Sequence, residues 1–310
     1  MVGAGVSGSA LAQGYPLKPV HMLVGFVPGG GADIVGRMIA QKLTDELGRP
    51  VVVENRPGAG SAIATERVAK AAPDGYTLLM MSASAAILPA MVKLPYDLER
   101  DLAPITLVSM GPLVLVVHPS VPARSVKELI ALARARPGMM RYASNGAGSP
   151  PHLASELFGT MAKLKLVHVP YKGGGDAVIA TASGEIDMSF PTVPAAMPLL
   201  GTNKFRPLAV TTPRRSSALA SVPTLDEAGL PGYQFSNWNG VGTTAGVPRD
   251  IIMRLNAAIS KVVNTPEMKK AFNDQGIEPQ TNTPQEYAKF LRNEIARNTM
   301  LIKLSGAKAE

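Results

Sequence analysis

No cysteine occurs in the 310 residues, which excludes disulfides, zinc–cysteine sites and thiol nucleophiles together. That absence says nothing about compartment. Aromatic residues make up only 5% of the chain and Trp238 is its one tryptophan, so the stacking platforms that hold single-stranded nucleic acid are missing. The 31 Lys and Arg outnumber the 23 Asp and Glu for a formal charge of +8, yet they are scattered at surface spacing and never cluster into a phosphate-tracking stripe. No nucleic-acid partner is expected. The charge reads as a solvated surface with a mild attraction for acidic small molecules. Long hydrophobic runs are also lacking: 77–92 and 105–117 are broken by Pro89 and Pro112 and fall short of the ~20 residues a membrane span requires.

Catalytic signatures are equally scarce. There is no Gly-x-Ser-x-Gly, no His-Glu-x-x-His and no Gly-x-x-x-x-Gly-Lys-Ser/Thr, so a nucleophile elbow, a zinc-protease helix and a P-loop are excluded. Gly29-Gly30-Gly31 fails the dinucleotide spacing because Ile34 stands where the third glycine belongs. No cofactor is expected. His152 and Glu156 are i and i+4 on one predicted helix, but no third ligand accompanies them, and a structural histidine is the better reading. Lys172 could be a Schiff-base or phosphate lysine, although loop lysines are more often solvated.

Glycine (30) and proline (27) are plentiful, and they fall in a repeated pattern. Val24-Gly25-Phe26-Val27-Pro28-Gly29-Gly30-Gly31-Ala32-Asp33 is an apolar run that stops on a glycine turn and passes directly into a helical pattern. Val51 to Gly60, Arg141 to Ser149 and Val167 to Asp176 repeat it. Strand, glycine loop, helix is an anion-binding arrangement, because glycine lets the backbone approach a ligand while the helix start offers unpaired N–H groups and a positive dipole end. An α/β fold follows, with mainly parallel sheets flanked by helices and ligands at the carboxyl ends of the strands.

In chain order, 20–27, 51–54 and 76–81 read as strands alternating with helices, the first helix being capped by Asp33 and stopped at Gly48. Ser82-Ala83-Ser84-Ala85 ends the third strand with small hydroxyl residues that could line a pocket. The stretch 93–104 is polar and loop-like. A strand interrupted at Met110-Gly111-Pro112 then suits a crossing between domains, and Ser125 to Glu128 and Thr283 to Glu286 have the form of capping boxes. Pro150 and Pro151 suit the first turn of a helix whose N-cap is Ser149. Ser144, with no helix to cap, is expected to point into the cleft. At ~150 residues per domain the length accommodates about two. The division expected is 13–109 plus 237–310 as lobe one and 110–236 as lobe two, inserted into the first and clamping a cleft between them. Residues 1–12, small and apolar and ending in Ala10-Leu11-Ala12, read as the remnant of a signal peptide.

Phe26-x-Pro28-Gly29-Gly30-x-x-Asp33, Val52-Val53-Glu54-Asn55-Arg56-Pro57-Gly58-Ala59-Gly60, Pro73-Asp74-Gly75-Tyr76-Thr77-Leu78-Leu79, Tyr142-Ala143-Ser144 with Gly146-x-Gly148-Ser149 and His152, and Val169-Pro170-Tyr171-Lys172-Gly173 stand in this order. Together they resemble the Bug-type receptors, the periplasmic solute-binding proteins of tripartite tricarboxylate transporters. The resemblance implies a two-lobed type II periplasmic binding-protein fold, a small mono-, di- or tricarboxylate held between the lobes, and delivery to transporter subunits in the membrane by a monomeric, exported, non-enzymatic receptor. It also implies a site. Val27, Pro28, Gly29, Gly30, Gly31 and Asp33 form one carboxylate-holding loop. Ser144, Asn145, Gly146, Gly148 and Ser149 form the other, with His152, Tyr171, Lys172 and Asp187 nearby. Ser82, Ser84, Phe190 and Thr192 are placed to read the rest of the ligand. The rival expectation is a small hydrolase or acid–base enzyme acting on a carboxylate through Asp187, Lys172 or His152.

Overall fold

The computed structural model describes residues 14–306, so the expected signal-peptide remnant lies outside the described residues. Its strands form a six-stranded sheet in the order β11-β4-β10-β3-β1-β2 and a five-stranded sheet in the order β7-β6-β8-β5-β9. The first half of sheet one is β1 (Val20–Val24), helix α1 (Gly31–Leu47), β2 (Val51–Asn55), α2 (Ala62–Ala69) and β3 (Thr77–Ser82). β1 pairs in parallel with both β2 and β3, because a helix carries the chain back over the sheet between each strand and the next. Helix α1 ends on Gly48 in the left-handed region, as expected of a glycine stop.

Then the chain crosses. β4 (Leu102–Gly111) lies in sheet one and β5 (Val114–Val117) in sheet two, with Pro112 between them. Sheet two continues with α3 (Val126–Ala135), β6 (Arg141–Ser144), α4 (Pro150–Ala162), β7 (Val167–Pro170), α5 (Gly174–Ala182), β8 (Met188–Ser189) and β9 (Arg206–Val210). The return crossing delivers β10 (Asn237–Thr244) to the middle of sheet one, followed by α6 (Arg249–Val263), α7 (Pro266–Asp274), β11 (Glu278–Pro279) and α8 (Pro284–Ser305).

The sheets are mixed, where mainly parallel ones were expected. β10 pairs antiparallel to β3 and β4, and β5 antiparallel to β8 and β9, since a strand arriving from the other sheet enters from the cleft side and runs back against its neighbours. The segment expected as loop over 93–104 also differs: Asp97 caps a short helical turn through its own carboxylate, and β4 begins at once.

One core, with Val20, Met22, Ile39, Leu43, Leu78, Leu255 and Ile259, fills sheet one beneath α1 and α6. A larger core runs from Leu79 and Met81 through Phe158 and Phe190 to Tyr287 and Leu291, and the terminal helix α8 packs against β4 of sheet one and against α4 beside sheet two. Trp238 of β10 fastens it, its buried indole N–H donating to Glu294 at 3.0 Å. Thr283 and Glu286 form a reciprocal capping box at its start. Among the described residues no helix is long and apolar enough to cross a membrane.

Candidate functional site

The carboxyl ends of the parallel strands in the two sheets face each other, and the loops that leave them meet. Gly30, the N-cap of α1, opens that helix on one side; Ser149 opens α4 on the other; Thr192 caps a short turn at 193–196. None of these three caps makes a side-chain capping bond. Gly30, Gly31, Ala32, Pro150, Pro151 and Thr192 line one small inner cavity of about 20 Å³. Phe26, Asn145, Ser82, Asn237 and Asn239 complete it.

Buried polar atoms concentrate here without partners. The hydroxyls of Ser82, Ser84, Ser149 and Thr192 and the amide oxygens of Asn237 and Asn239 have no hydrogen-bond partner. Because a buried polar group left unpaired costs about 1–3 kcal/mol, such a concentration marks a surface made to be satisfied by something else. Register explains part of the gathering: Asn239 lies opposite Ser82 on β3 and Ser109 on β4, and its amide donates to Ser109 at 3.2 Å. No side chain among the cavity-lining residues is charged.

Several expected site residues turn out to be the frame of this cavity and not its lining. Asp33 was expected at the N-cap of α1. It lies instead in the first turn, buried, and accepts from the Gly29 N–H (2.9 Å), Arg37 Nε (3.0 and 3.1 Å) and Asn55 Nδ2 (2.8 Å). Burial pushes its carboxyl up, but the bonds from Arg37, Asn55 and Gly29 together hold it below the ordinary carboxylate range. Val27 packs against Gly173, and Pro28 and Gly29 are exposed.

The two serines of the second loop exchange their expected roles. Ser144, expected to reach the ligand, is buried at the base of the loop, accepting the Gly146 N–H at 3.1 Å and bonded to His168 Nε2 at 2.6 Å. Ser149, expected to cap α4, occupies the cap position with its hydroxyl uncommitted. A side chain two residues before a glycine can close a local turn on itself, while Pro150 and Pro151 remove two of the N–H groups a cap would serve. Ser149→Ala should therefore leave the melting point of the ligand-free protein unchanged. The same change should weaken ligand binding by roughly ten- to a hundredfold, the loss of one bond to a charged group. A titration with unchanged affinity would remove the hydroxyl from the site.

His152 sits beneath the loop, its Nδ1 accepting the Gly148 N–H at 3.2 Å and its ring stacked on His168 at 4.3 Å. Burial, with a smaller contribution from His168, pushes its pKa down to about 3, so it is neutral and braces the turn. Among the described residues no group of three or more His, Cys, Asp or Glu could hold a metal. Asp187 is out of reach of the cleft: it precedes β8 at the opposite end of the sheet, where it accepts from the Arg141 N–H at 2.7 Å. Phe190 is fully buried in the core against Phe158, whereas Thr192, at the cap of the turn that follows the strand, lines the cavity. Gly146, Tyr171 and Lys172 lie on an outer cleft adjoining the inner cavity. Asp187, Lys172 and His152 thus stand at three separate places, so the rival acid–base constellation is not assembled.

Residues 35–307 match the profile of the tripartite tricarboxylate transporter family receptor. The chain belongs to that family. Protein BugT of Bordetella pertussis is 38% identical over 308 residues, covering 98% of this chain and 94% of BugT. Among solved structures, Rpa4515 of R. palustris with adipate superposes with a TM-score of 0.92 at 34% identity, covering 95% of this chain and 99% of its own. MatC (Rpa3494) of Rhodopseudomonas palustris with bound malate gives 0.87 at 29% identity, with 93% and 100% covered. Both solved structures superpose on this chain over nearly their whole length.

Asn237 and Asn239 were missed by sequence reasoning, as was Phe26 as a wall. The signal for the asparagines was available in principle: polar residues at i and i+2 in a strand otherwise buried at every position place two amides on one face. What could not be read is that this face borders a cavity.

Proposed function

We propose that the protein is an extracytoplasmic solute-binding receptor which encloses a small carboxylate between two lobes and hands it to the membrane subunits of a tripartite tricarboxylate transporter. The observation that carries this reading is the convergence of uncapped helix starts and uncommitted hydroxyls on one cavity without a charged lining. Helix starts supply N–H donors and a positive dipole end, and serine and threonine hydroxyls can rotate to donate, so a desolvated carboxylate is satisfied without a lysine or arginine. Family relatives solved with adipate and with malate support the same ligand class. On this reading 13–109 plus 237–310 and 110–236 act as the two closing lobes, hinged where β4 passes to β5 and where the chain returns to β10. The protein works as a monomer outside the cytoplasmic membrane.

Thermal shift against mono-, di- and tricarboxylates is the direct test. A matching carboxylate at a hundredfold excess over its Kd should stabilise the protein by about 2.7 kcal/mol, a rise in Tm of several degrees. Shifts produced by sugars or amines and by no carboxylate would sink the proposal.

A further inference from the structure

Independently of which solute the cleft holds, we infer that the end of sheet two opposite the cleft docks on an anionic phospholipid surface. Cations that stand apart in the chain are brought together there. Arg136 and Lys163 follow the last residues of α3 and α4, and Lys303 lies in the last turn of α8. The Gly138 N–H donates to the Lys165 carbonyl at 2.9 Å, Arg134 to the Ala162 carbonyl at 2.9 Å, and the Thr160 hydroxyl to the Ser305 carbonyl at 3.4 Å, so three helix ends and the approaches to β6 and β7 meet at one place. Among the described residues, Arg136, Lys163, Lys165 and Lys303 are exposed and enter no ion pair. No Asp or Glu occurs in 129–141, 157–168 or 295–306 to offset them.

Apolar side chains stand among these cations. Met139 is 70% exposed, Leu304 69% and Met300 66%, with Met300, Lys303 and Leu304 at i, i+3 and i+4 on one face of α8. Beside Arg136 a groove of about 220 Å³ is walled by Val121, Pro122, Leu132, Met139 and Met140. Its one carboxylate, Asp187, is held by Arg141. Basic residues at helix ends complement the negative end of the dipole, which accounts for Lys163 and Lys303 taken singly. It does not account for Lys165, which belongs to no helix, nor for the exposed Met and Leu. Cations interleaved with exposed apolar side chains suit a membrane surface, where charge draws the face to anionic headgroups and the apolar tips enter the boundary layer. Because the four cations make no directional bonds, a fluid layer of headgroups satisfies them where a protein surface would need matched positions. Docking here leaves the cleft loops, at the other ends of β6 and β7, uncovered.

Co-sedimentation of the full chain with vesicles of phosphatidylcholine alone, and of an equal mixture with phosphatidylglycerol, tests this. Binding should appear only with the anionic lipid and should fall as salt is raised. The triple change Arg136→Gln, Lys163→Asn and Lys165→Gln should weaken it roughly a hundredfold, about fivefold per cation, at an unchanged melting point, since all three positions are exposed and Asn tolerates the left-handed backbone of residue 163. Lys93→Gln, Lys269→Gln and Lys289→Gln together remove the same charge from exposed positions elsewhere and should leave vesicle binding nearly unchanged. Met139→Ser with Leu304→Ser should weaken binding at every salt concentration. Equal binding to both kinds of vesicle would overturn the proposal, and so would equal losses in the two triple variants, which would reduce it to net charge. Binding to neither would also overturn it and leave an acidic protein segment as the occupant. The carboxylate thermal shift should persist in the patch variant, which keeps this test separate from the receptor reading.

Discussion

Gly31→Ala is expected to weaken carboxylate binding roughly five- to 150-fold while the ligand-free protein melts at an unchanged or slightly higher temperature. Gly31 is the first residue of α1, on the first sheet's side of the cavity, and Thr192 faces it from the other. A Cβ at position 31 would lie 2.4 Å from Thr192 Oγ1 and 3.0 Å from Thr192 Cβ, well inside contact distance, and rotating the threonine relieves the first overlap but not the second. Overpacking of this kind costs about 1–3 kcal/mol, which is the stated range in affinity at 1.4 kcal/mol per tenfold. On the two-lobe reading the extra methyl is freed from Thr192 when the lobes part, and alanine is the better helix former by up to about 1 kcal/mol. The cost thus falls on closure alone. Gly173→Ala provides an independent check, since its Cβ would come within 1.9 Å of Val27 across the same cleft. Titration of both variants with the best ligand decides the matter: an unchanged Kd in each would mean the lobes need not approach this closely to hold ligand.

Asp33→Ala is expected to act on both stability and binding. Its carboxylate ties the Gly29 N–H to the Arg37 and Asn55 side chains, and so sets the loop that delivers Gly30 and Gly31 to the cavity. Removal leaves the Gly29 N–H, the half-buried Asn55 amide and the half-exposed Arg37 guanidinium without their acceptor, worth about 1–2 kcal/mol, or on the order of 3 °C in Tm for a chain of this size. Ligand affinity should fall as well, because the loop loses its brace. The pH dependence has a definite sign. The folded-state carboxyl is held below its unfolded value, so its contribution is complete above about pH 4, the unfolded pKa, and is lost as pH falls through the lower folded value. Between pH 5 and pH 3 the parent protein should therefore lose more stability than Asp33→Asn. Parallel acid melts in which the two curves fall together would show that the carboxylate carries no net charge-dependent stability.

Much of the frame was legible because it is local. The 3.6-residue apolar rhythm of α1, the Gly48 stop, the Thr283–Glu286 capping box and the break at Gly111-Pro112 each depend on residues a few positions apart, where backbone stereochemistry and side-chain spacing leave little choice. The glycine loops between strand ends and helix starts could be picked out for the same reason. Less legible was the direction of β10. Nothing within Asn237 to Thr244 states that it enters between β3 and β4 and runs against both; that follows from its arrival out of the other sheet.

Within the site the division is sharper. By itself the sequence determined which short stretches can present backbone N–H groups to an anion, because glycine content and helix starts are properties of adjacent residues. It also determined that the Gly-x-Ser-x-Gly, His-Glu-x-x-His and P-loop motifs are absent. Only the tertiary structure decided which polar side chains remain uncommitted. Ser144 is consumed by His168 and Gly146, Asp33 by Gly29, Arg37 and Asn55, and Asp187 by Arg141 at the far end of its sheet. Ser82 and Thr192 keep their hydroxyls and Asn237 and Asn239 their amide oxygens unpaired at the cavity, and Ser149 keeps its hydroxyl unpaired beside it. The physical reason is that a hydrogen bond is a relation between two groups: residue type sets the capacity to bond, and only the packed chain determines which partners arrive first and which capacities are left for a ligand.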